Sequence, residues 1–318
     1  MSNILGIDVS KQKLDVGLMI NQKILAKRVD NSLKGFRLLE GWLFSLNIEE
    51  VHACLESTGV YSEKIAEFLY DKGHKVSVVN PLRIKKYAES KLERNKTDRV
   101  DARTIADFCY TQKPGLWTPP SKEVKYLQYL TRRIEALEQM KTMETNRLES
   151  APRQLHSSIE RIIKSLEKEI GEVRKLIKRH FDDHPQLNEQ KDLLETIPGI
   201  GEKTANVLLS ELEFHRYESG RQVAAQAGVT PGRRQSGTSL DMTRLSKLGN
   251  SRIRKALFLP AMVARRHNQI INEFAKRLEK RGKSKMQIVC ACMRKLLHIA
   301  FGVLKHKRPF DPNFVQST

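Results

Sequence analysis

The order of apolar and amphipathic segments in residues 1–112 constrains the fold more than any other feature of this sequence. Three short apolar runs follow one another with only polar turns between them, and amphipathic helical segments then alternate with two further apolar runs. The predicted strands are Ile4–Val9, Leu14–Met19, Lys23–Val29, Val51–Glu56 and Lys75–Val79. Strands that alternate with helices build a layered α/β domain, because each helix buries its apolar face on the sheet.

Turn and capping residues mark the ends of these segments. Asn31 is predicted to cap the first helix, and a second helix over Ser62–Asp71 is predicted to end at Gly73. The Asn80-Pro81 pair stops the fifth strand, and a third helix begins near Thr97. Three meandering strands followed by alternating helices and strands is the order of a ribonuclease H-like domain, although that order is not unique to it.

The remaining sequence is predicted to be mostly helical. Residues 113–120 hold three prolines and are typical of a linker. Residues 121–182 carry apolar residues spaced by three and four, which predicts either a helical hairpin within the chain or a coiled coil between subunits. The chain therefore divides into an α/β domain at residues 1–120, a helical connector at 121–190 and a mostly helical domain at 191–318.

Four acidic residues occupy positions from which they can converge. Asp8 lies near the end of the first predicted strand and Glu56 ends the fourth. Asp98 and Asp101 lie three apart on a predicted helix and so share one face. Gathered carboxylates repel one another and favour cations between them. Their hard oxygen atoms suit Mg²⁺, with Mn²⁺ as a substitute. Asp15, inside the second strand, is expected to face solvent or the opposite layer.

A tight turn stands near the start of the C-terminal domain. The segment Pro198-Gly199-Ile200-Gly201, followed by Lys203, is predicted to form a helix-hairpin-helix. Glycines let the amides at a helix start approach a phosphate, and Lys203 adds positive charge. Such a contact would be independent of nucleic-acid sequence. The alternative is a turn that only joins two packed helices.

The composition favours a nucleic-acid partner. Lys and Arg number 57 against 37 Asp and Glu, so the formal net charge is +20. A surplus of this size favours polyanions, because phosphate contacts release counterions. The four cysteines lack paired metal-binding spacing, and neither a signal peptide nor a membrane span is predicted. A reducing cytoplasm is the expected location.

The acidic motifs carry a resemblance to a known family. The ordered segments GIDVSK, LESTG and KTDRVDA resemble the insertion sequence 110/1111 family of transposases. The resemblance implies a RuvC-like fold with a metal-binding Asp-Glu-Asp-Asp site at Asp8, Glu56, Asp98 and Asp101. It also implies donor and target DNA as substrates, a bridge RNA as guide, a homodimer or homotetramer, and a bacterial protein associated with the nucleoid.

A second signature of the same family lies in the C-terminal domain. The segment AGVTPGRRQSG resembles it, and the resemblance places a serine nucleophile at Ser236, with Ser239 as the rival. Gln235 stands where the family often has another serine. No His or Asp adjoins Ser236, so its activation is expected to come from the distant acidic site. A basic cluster surrounds it and is expected to hold nucleic-acid backbone: Arg233, Arg234, Arg244, Lys247, Arg252, Arg254 and Lys255.

Three other functions compete with transposition. A metal-dependent junction-resolving nuclease would share the acidic fold and would not need Ser236. An actin-like ATPase or sugar kinase also begins with a strand that ends in Asp, but it needs glycine-rich phosphate loops, and none is evident in residues 1–112. A non-catalytic nucleic-acid scaffold would tolerate loss of the four acidic residues.

Overall fold

The computed structural model describes residues 3–91, 98–236, 240–246 and 248–313, with the backbone alone described at 98–100, 233–236 and 240–244. The chain forms two compact units, Met1–Pro119 and Pro120–Thr318. The helical connector expected at residues 121–190 therefore belongs to the same compact unit as residues 191–318.

The first unit is built on a five-stranded mixed sheet. Its strands are β1 (Asn3–Val9), β2 (Lys13–Ile20), β3 (Lys23–Asp30), β4 (Val51–Glu56) and β5 (Lys75–Val79). Its helices are α1 (Leu33–Ser45), α2 (Val60–Asp71), α3 (Pro81–Ser90) and α4 (Asp98–Gln112). The strand order is β3-β2-β1-β4-β5, with β1, β4 and β5 parallel and β2 antiparallel to both of its neighbours. The predicted α/β architecture, with three meandering strands followed by alternating helices and strands, is confirmed.

Helices cover both faces of this sheet. One face packs against α1 and α2, through a cluster that joins Leu5 and Ile7 to Phe36, Leu39 and Ile65. The opposite face packs against α3 and α4, through a second cluster of buried residues (Ile4, Met19, Cys54, Val79, Ile84, Ile105, Phe108 and Cys109). Because side chains alternate along a strand, Asp8 belongs to the face that α4 covers.

Two details of this unit differ from expectation. Ser32, not Asn31, caps α1, since its Oγ accepts a hydrogen bond from the Gly35 amide at 3.2 Å. Asn31 instead donates from Nδ2 to the carbonyl oxygens of Ser10 at 2.9 Å and Tyr61 at 3.1 Å. Asn80-Pro81 ends β5 as predicted, but it also starts α3, a helix that was not predicted.

The second unit begins with a long helical hairpin. Helix α5 (Lys122–Ser150) and α6 (Arg153–Asp182) run antiparallel, because Lys141 Nζ lies 2.6 Å from Glu167 while His180 Nε2 donates to the Glu123 carbonyl at 3.0 Å. The apolar seam predicted from the three-and-four spacing is buried within the chain at Leu127, Leu130, Ile134, Leu137, Ile159, Ile170, Val173 and Ile177. Of the two arrangements considered, the structure shows the hairpin.

The rest of the second unit is helical apart from one β-hairpin. Its helices are α7 (Pro185–Glu195), α8 (Glu202–Glu211), α9 (Gly220–Gln226), α10 (Ser251–His267), α11 (Gln269–Lys280) and α12 (Lys285–His306). The antiparallel strands β6 (Pro231–Ser236) and β7 (Leu240–Leu245) were not predicted.

Helix α12 is long and apolar enough to cross a membrane by length and composition alone. Nine of its residues are buried in the core of the second unit, among them Cys292, Leu296 and Phe301. This packing is that of a core helix. All four cysteines are free thiols, and burial raises the pKa of the Cys292 thiol to about 11.

Candidate active site

Asp8 and Glu56 lie beside each other at the carboxyl edge of the sheet. Strands β1 and β4 are parallel, and the last pair in their register is Ile7 with Leu55. Asp8 and Glu56 each follow this pair by one residue, so they stand side by side and on the same face. Both side chains are half-buried. The expected convergence of the two strand-end carboxylates is what this register produces.

Helix α4 approaches this edge unusually closely because two glycines lie beneath it. Gly6 and Gly17 are cross-strand partners on β1 and β2. A Cβ at Gly6 would overlap the Ala102 carbonyl oxygen and the Ala106 amide nitrogen, and one at Gly17 would lie 3.2 Å from the same carbonyl oxygen. The absence of side chains at these two positions lets the helix backbone rest directly on the sheet.

The direction of α4 brings its first turns toward Asp8. The start of β1, at Ile4, clusters with Ile105 and Phe108 in the later part of α4, whereas Gly6 contacts Ala102. Continuing along β1 to Asp8 therefore leads toward the first turns of α4. Asp101, which is half-buried, and the backbone of Asp98 lie there. The side chain of Asp98 lies outside the described residues.

A second brace orients α4. The Asp107 carboxylate accepts a hydrogen bond from the Tyr87 hydroxyl at 2.8 Å and pairs with Lys91, while Thr111 Oγ1 donates to the Tyr87 hydroxyl at 2.9 Å. Tyr87 belongs to α3, so this network ties α3 to α4. Asp107 thus holds α4 against α3.

The expectation for Asp15 was wrong in its placement. Asp15 is the cross-strand partner of Asp8, so both side chains project from the face that α4 covers, and Asp15 is 8% exposed. Its carboxylate accepts a hydrogen bond from Arg28 Nε at 2.8 Å. Arg28 therefore neutralises Asp15. The sequence did not predict this pair, because it depends on the register between β2 and β3.

The donor chemistry of the acidic set suits a hard divalent cation, since every ligand it offers is a carboxylate oxygen. Within the part of the chain that the structure describes, no group of three or more metal-ligating side chains forms a metal-binding arrangement. That set of side chains does not include the carboxylate of Asp98. The structure thus brings Asp8, Glu56 and the start of α4 to one edge of the sheet.

Ser236 is the last residue of strand β6 in the second unit. It is paired with Leu240 of β7, and residues 237–239, which include the rival Ser239, lie outside the described residues, as does Lys247. The register places positions 234 and 244 on the same hairpin face as position 236, and position 233 on the opposite face.

The base of this hairpin is held by a network that local sequence patterns did not indicate. Arg254 Nη1 donates to the carbonyl oxygens of Ala227 at 3.1 Å and Gly249 at 2.9 Å. Asn250 Nδ2 donates to Glu211 Oε2 at 2.7 Å, and Arg132 Nε donates to Glu211 Oε1 at 3.3 Å. Arg254, predicted to bind nucleic acid, thus joins the two segments that flank β6 and β7.

The segment from Gly199 to Lys203 connects α7 to α8, and its assignment as a helix-hairpin-helix stays a prediction. Gly199 has a positive φ of 104°, and a Cβ there would lie 2.8 Å from the Ala264 Cβ, so this glycine fits against α10. Gly201 starts α8 and has open space beside it. Lys203 forms an ion pair with Glu138. The turn is present, and its Lys203 already has an acidic partner.

Arg252 likewise has carboxylate partners. It pairs with Glu135 of α5, and its Nε lies 3.9 Å from Glu211 Oε1. Lys255 is exposed. The predicted basic cluster therefore contains residues with bracing contacts, Arg252 and Arg254, as well as residues placed on the hairpin.

Comparison with known proteins places these features in a family. The DEDD-type IS110 model, described as "Transposase", matches residues 5–157, and the model described as "Transposase IS116/IS110/IS902 family" matches residues 191–276. Among solved structures, the RuvC protein of T. thermophilus in complex with a Holliday junction substrate is 14% identical, with a TM-score of 0.28, and covers 37% of this chain and 100% of that chain. A likeness of that size is too small to support a conclusion.

Relatives over most of the chain agree with the family models. The transposase for insertion sequence element IS1328 of Yersinia enterocolitica is 25% identical over 226 residues, covering 63% of this chain and 66% of that protein. The pilin gene-inverting proteins of Moraxella bovis and Moraxella lacunata are each 34% identical over 312 residues, covering 96% of this chain and 97% of each relative. With both of its parts matched by family models and nearly all of its length matched by such relatives, the chain belongs to the IS110 family of transposases.

Proposed function

We propose that this transposase cuts and rejoins DNA strands through an acidic, Mg²⁺-dependent site in its first unit and a serine nucleophile in its second. The observation that carries the proposal is the side-by-side placement of Asp8 and Glu56 at the carboxyl edge of the sheet, beneath the first turns of α4. Carboxylates gathered in this way favour a divalent cation between them.

Asp8, Glu56, Asp98 and Asp101 would hold the cation, and their all-oxygen donor set fits Mg²⁺ or Mn²⁺. A bound cation would stabilise the charge that develops on a phosphodiester oxygen during strand cleavage. Close packing of α4 on Gly6 and Gly17, together with the contacts between α3 and α4, would hold Asp98 and Asp101 near the ends of β1 and β4. The protein's own contribution is this positioning of negative charge.

Ser236 would supply the nucleophile. Its hydroxyl oxygen attacks a DNA phosphorus and loses its proton, and the bond from phosphorus to the 3′ oxygen breaks and leaves a 3′ hydroxyl. The serine then carries the DNA as a phosphate ester. A 3′ hydroxyl from the other DNA attacks this ester, which restores a phosphodiester and releases Ser236. The number of phosphate ester bonds is conserved, so rejoining needs no external energy source.

The nucleic-acid partners of this reaction would be donor DNA, target DNA and a bridge RNA that pairs with both. Because the RNA would recognise the DNA sequences by base pairing, the protein would need to bind only the shape and the phosphate backbone of the nucleic acids. Binding of this kind suits a chain of net charge +20. Two DNA molecules take part, so a homodimer or homotetramer is expected. Strand exchange by the protein without RNA would refute the guided part of this proposal.

A covalent-trap experiment tests the serine chemistry. Protein with its co-purifying RNA is mixed with labelled donor and target DNA and Mg²⁺, and the products are separated on a denaturing gel. A DNA–protein adduct is expected for the wild-type chain and for Ser239→Ala, and is expected to disappear in Ser236→Ala. Cleavage without an adduct in all three proteins would support the metal-dependent nuclease and remove Ser236 from the mechanism.

A further inference from the structure

A large open cavity lies within the second unit, and Pro231 and Leu245, at the base of the β6–β7 hairpin, are among the residues that line it. Its volume is about 2120 Å³, and residues of α5, α8, α10, α11 and α12 line it. Most of the lining is apolar, including Phe258 and Leu259 of α10 and Phe274 and Leu278 of α11. These four residues are called the floor of the cavity, and the floor is open to solvent because Leu259 is 67% exposed. Exposed apolar surface of this kind marks a binding site more often than it marks inert surface.

Basic side chains stand at one side of this apolar surface. Arg294, Lys295 and His298 line the cavity from α12. Gly220 packs against α12 at His298, where a Cβ would lie 3.0 Å from the His298 Cα, and this contact brings the neighbouring Arg221 to the same place. In the described part of the chain, none of these four residues forms an ion pair. Lys255 and Lys283, also lining residues, add exposed positive charge.

Two nitrogen atoms in this group have unmet hydrogen-bonding capacity. Arg294 Nε and His298 Nε2 are buried and have no hydrogen-bond partner among the described residues. Leaving buried polar atoms unpaired costs free energy, which a ligand that accepts hydrogen bonds would recover. Burial and the charges of Arg294, Lys295 and Arg221 lower the pKa of His298, in keeping with the positive charge around it.

The acidic residues that line the cavity do not neutralise the charges of Arg294 and Lys295, because they pair with other basic residues. Glu135 pairs with Arg252, and Glu138 pairs with Lys203 and lies 3.7 Å from Arg174 Nη2. Both carboxylates stand on α5, and both are already bound to other basic residues. The cavity therefore combines an apolar floor that includes phenylalanine rings with a group of basic residues, Arg221, Arg294 and Lys295, at one side. This group is called the charged margin of the cavity.

We propose that this cavity binds an unpaired, single-stranded stretch of nucleic acid, with its phosphates at Arg221, Arg294 and Lys295 and its bases against the floor around Phe258 and Phe274. Single strands present flat apolar bases along one side and phosphates along the other, which matches the two parts of the cavity. A duplex hides its bases in the stack and cannot use the floor. The inference rests on the proposed function, because a recombining complex must hold unpaired segments.

Fluorescence anisotropy with the full-length chain tests the charged margin. The probes are labelled oligothymidylate and oligouridylate of about 15 nucleotides, near the upper site size of single-strand binding folds, and a duplex of equal length. The double variant Arg294→Gln with Lys295→Gln is expected to weaken single-strand binding about tenfold. It is also expected to reduce the slope of log affinity against log salt by about 1.4, since each neutralised phosphate accounts for roughly 0.7 of that slope.

The matched control removes the same charge elsewhere. Lys164→Gln with Lys168→Gln alters two exposed lysines on α6 that do not line the cavity. An equal loss of affinity in both double variants would overturn the proposal. Arg221→Gln, at an exposed position, is a second test that does not threaten folding, and it is expected to weaken single-strand binding in the same direction.

The floor is tested separately from the charge. Phe274→Leu and Phe258→Leu keep an apolar side chain but remove the ring, and each is expected to weaken single-strand binding at least fivefold with an unchanged salt slope, since a base–ring stack is worth about that much or more. Equal affinity of single strands and duplex, with no effect of either substitution, would overturn the proposal. Tighter binding of one single-stranded probe supports it and identifies the strand as RNA or DNA.

The outcomes separate this inference from the proposed function. If the Ser236-dependent adduct forms while the α12 variants bind single strands normally, the cavity proposal fails and the proposed function stands. If no adduct forms while the α12 variants lose single-strand binding, the cavity proposal stands and the serine mechanism fails.

Discussion

At the scale of single residues, Asp8 and Asp15 show how neighbours on one sheet face take different roles. They are directly opposite each other on β1 and β2, and Arg28 neutralises Asp15 across a distance of 2.8 Å. Arg28 is 49% exposed in its side chain, so the pair is partly solvated and contributes little to stability. Its effect is to keep Asp15 from adding negative charge beside Asp8.

This difference predicts unequal effects of two isosteric substitutions. Loss of a residue that only orients a metal ligand typically reduces activity by roughly 10–100-fold. Asp8→Asn is expected to reduce adduct formation by more than this, because Asp8 would hold the cation directly. Asp15→Asn is expected to reduce it less than about tenfold, because Arg28 already neutralises that carboxylate. Adduct yield at several Mg²⁺ concentrations measures both. Equal loss in the two variants would place Asp15 among the cation-holding residues.

Gly6 gives a second prediction at this scale, one that concerns stability. A methyl group at Gly6 would overlap the α4 backbone, so Gly6→Ala is expected to lower the free energy of unfolding by about 1–3 kcal/mol, the usual effect of overpacking, and to reduce adduct formation. Gly171→Ala on α6, where nothing lies within 4 Å, is expected to raise the same free energy by about 0.5–1 kcal/mol.

Urea denaturation of both glycine variants measures these changes. The pair is matched, because each adds one methyl group at a glycine. A Gly6→Ala protein as stable as wild type would mean that α4 does not rest on β1 as described.

At the scale of elements, the β6–β7 hairpin has two distinct faces. Positions 234 and 244 share the face of position 236, and position 233 lies on the other. Sequence alone presented these arginines as one cluster, because their shared charge is visible and their strand register is not. Strand β6 was missed for a related reason, since Pro231–Ser236 contains no apolar alternation that would indicate a strand.

The hairpin register predicts different roles for its arginines. Arg234→Ala and Arg244→Ala are expected to lower adduct yield strongly, because a cation on the Ser236 face can contact the same DNA backbone. Arg233→Ala is expected to have a smaller effect. The salt slope of duplex binding is also expected to fall by about 0.9 in each of the first two variants, because each arginine would neutralise one phosphate. A ranking with Arg233→Ala most impaired would contradict the register argument.

At the scale of the whole molecule, three buried or half-buried histidines link stability to pH. Burial is the largest cause that lowers the pKa of His74, His180 and His298. The unfolded chain therefore binds more protons than the folded chain as pH falls below the ordinary histidine value of 6.5, and stability rises with pH in that range. This contribution is complete above pH 6.5 and is lost as pH falls through the lowered folded values.

Urea denaturation at about pH 7.5 and about pH 5.5 tests this linkage, with lower stability expected at the acidic value. His74→Gln is expected to reduce the difference, whereas His215→Gln, at a side chain 75% exposed, serves as the control. The exposed carboxyl groups of Glu50, Glu89 and Glu172, whose lysine partners lower their pKa, titrate below this range. Burial raises the pKa of Glu195, which opposes the histidine effect, so the comparison of His74→Gln with wild type isolates the histidine contribution. Equal stability at both pH values would contradict the assigned pKa directions.

The sequence by itself determined the features that depend on neighbours along the chain. Alternation of apolar residues located the five strands of the first unit, and Asp8 and Glu56 were recognisable as strand ends because the apolar runs stop there. Spacing by three and four located the seam of α5 and α6. Each of these signals is carried within a few residues, as strand and helix periodicities require.

Only the tertiary structure decided which distant residues meet. It paired Arg28 with Asp15, set α4 on Gly6, joined Cys54 to Cys109 in one core cluster, and turned Arg254 toward the backbone of the hairpin base. It also gathered Arg221 and α12 beside an open apolar floor. These contacts depend on strand order and helix docking, which arise from packing of the whole chain and leave no periodic trace in the local sequence.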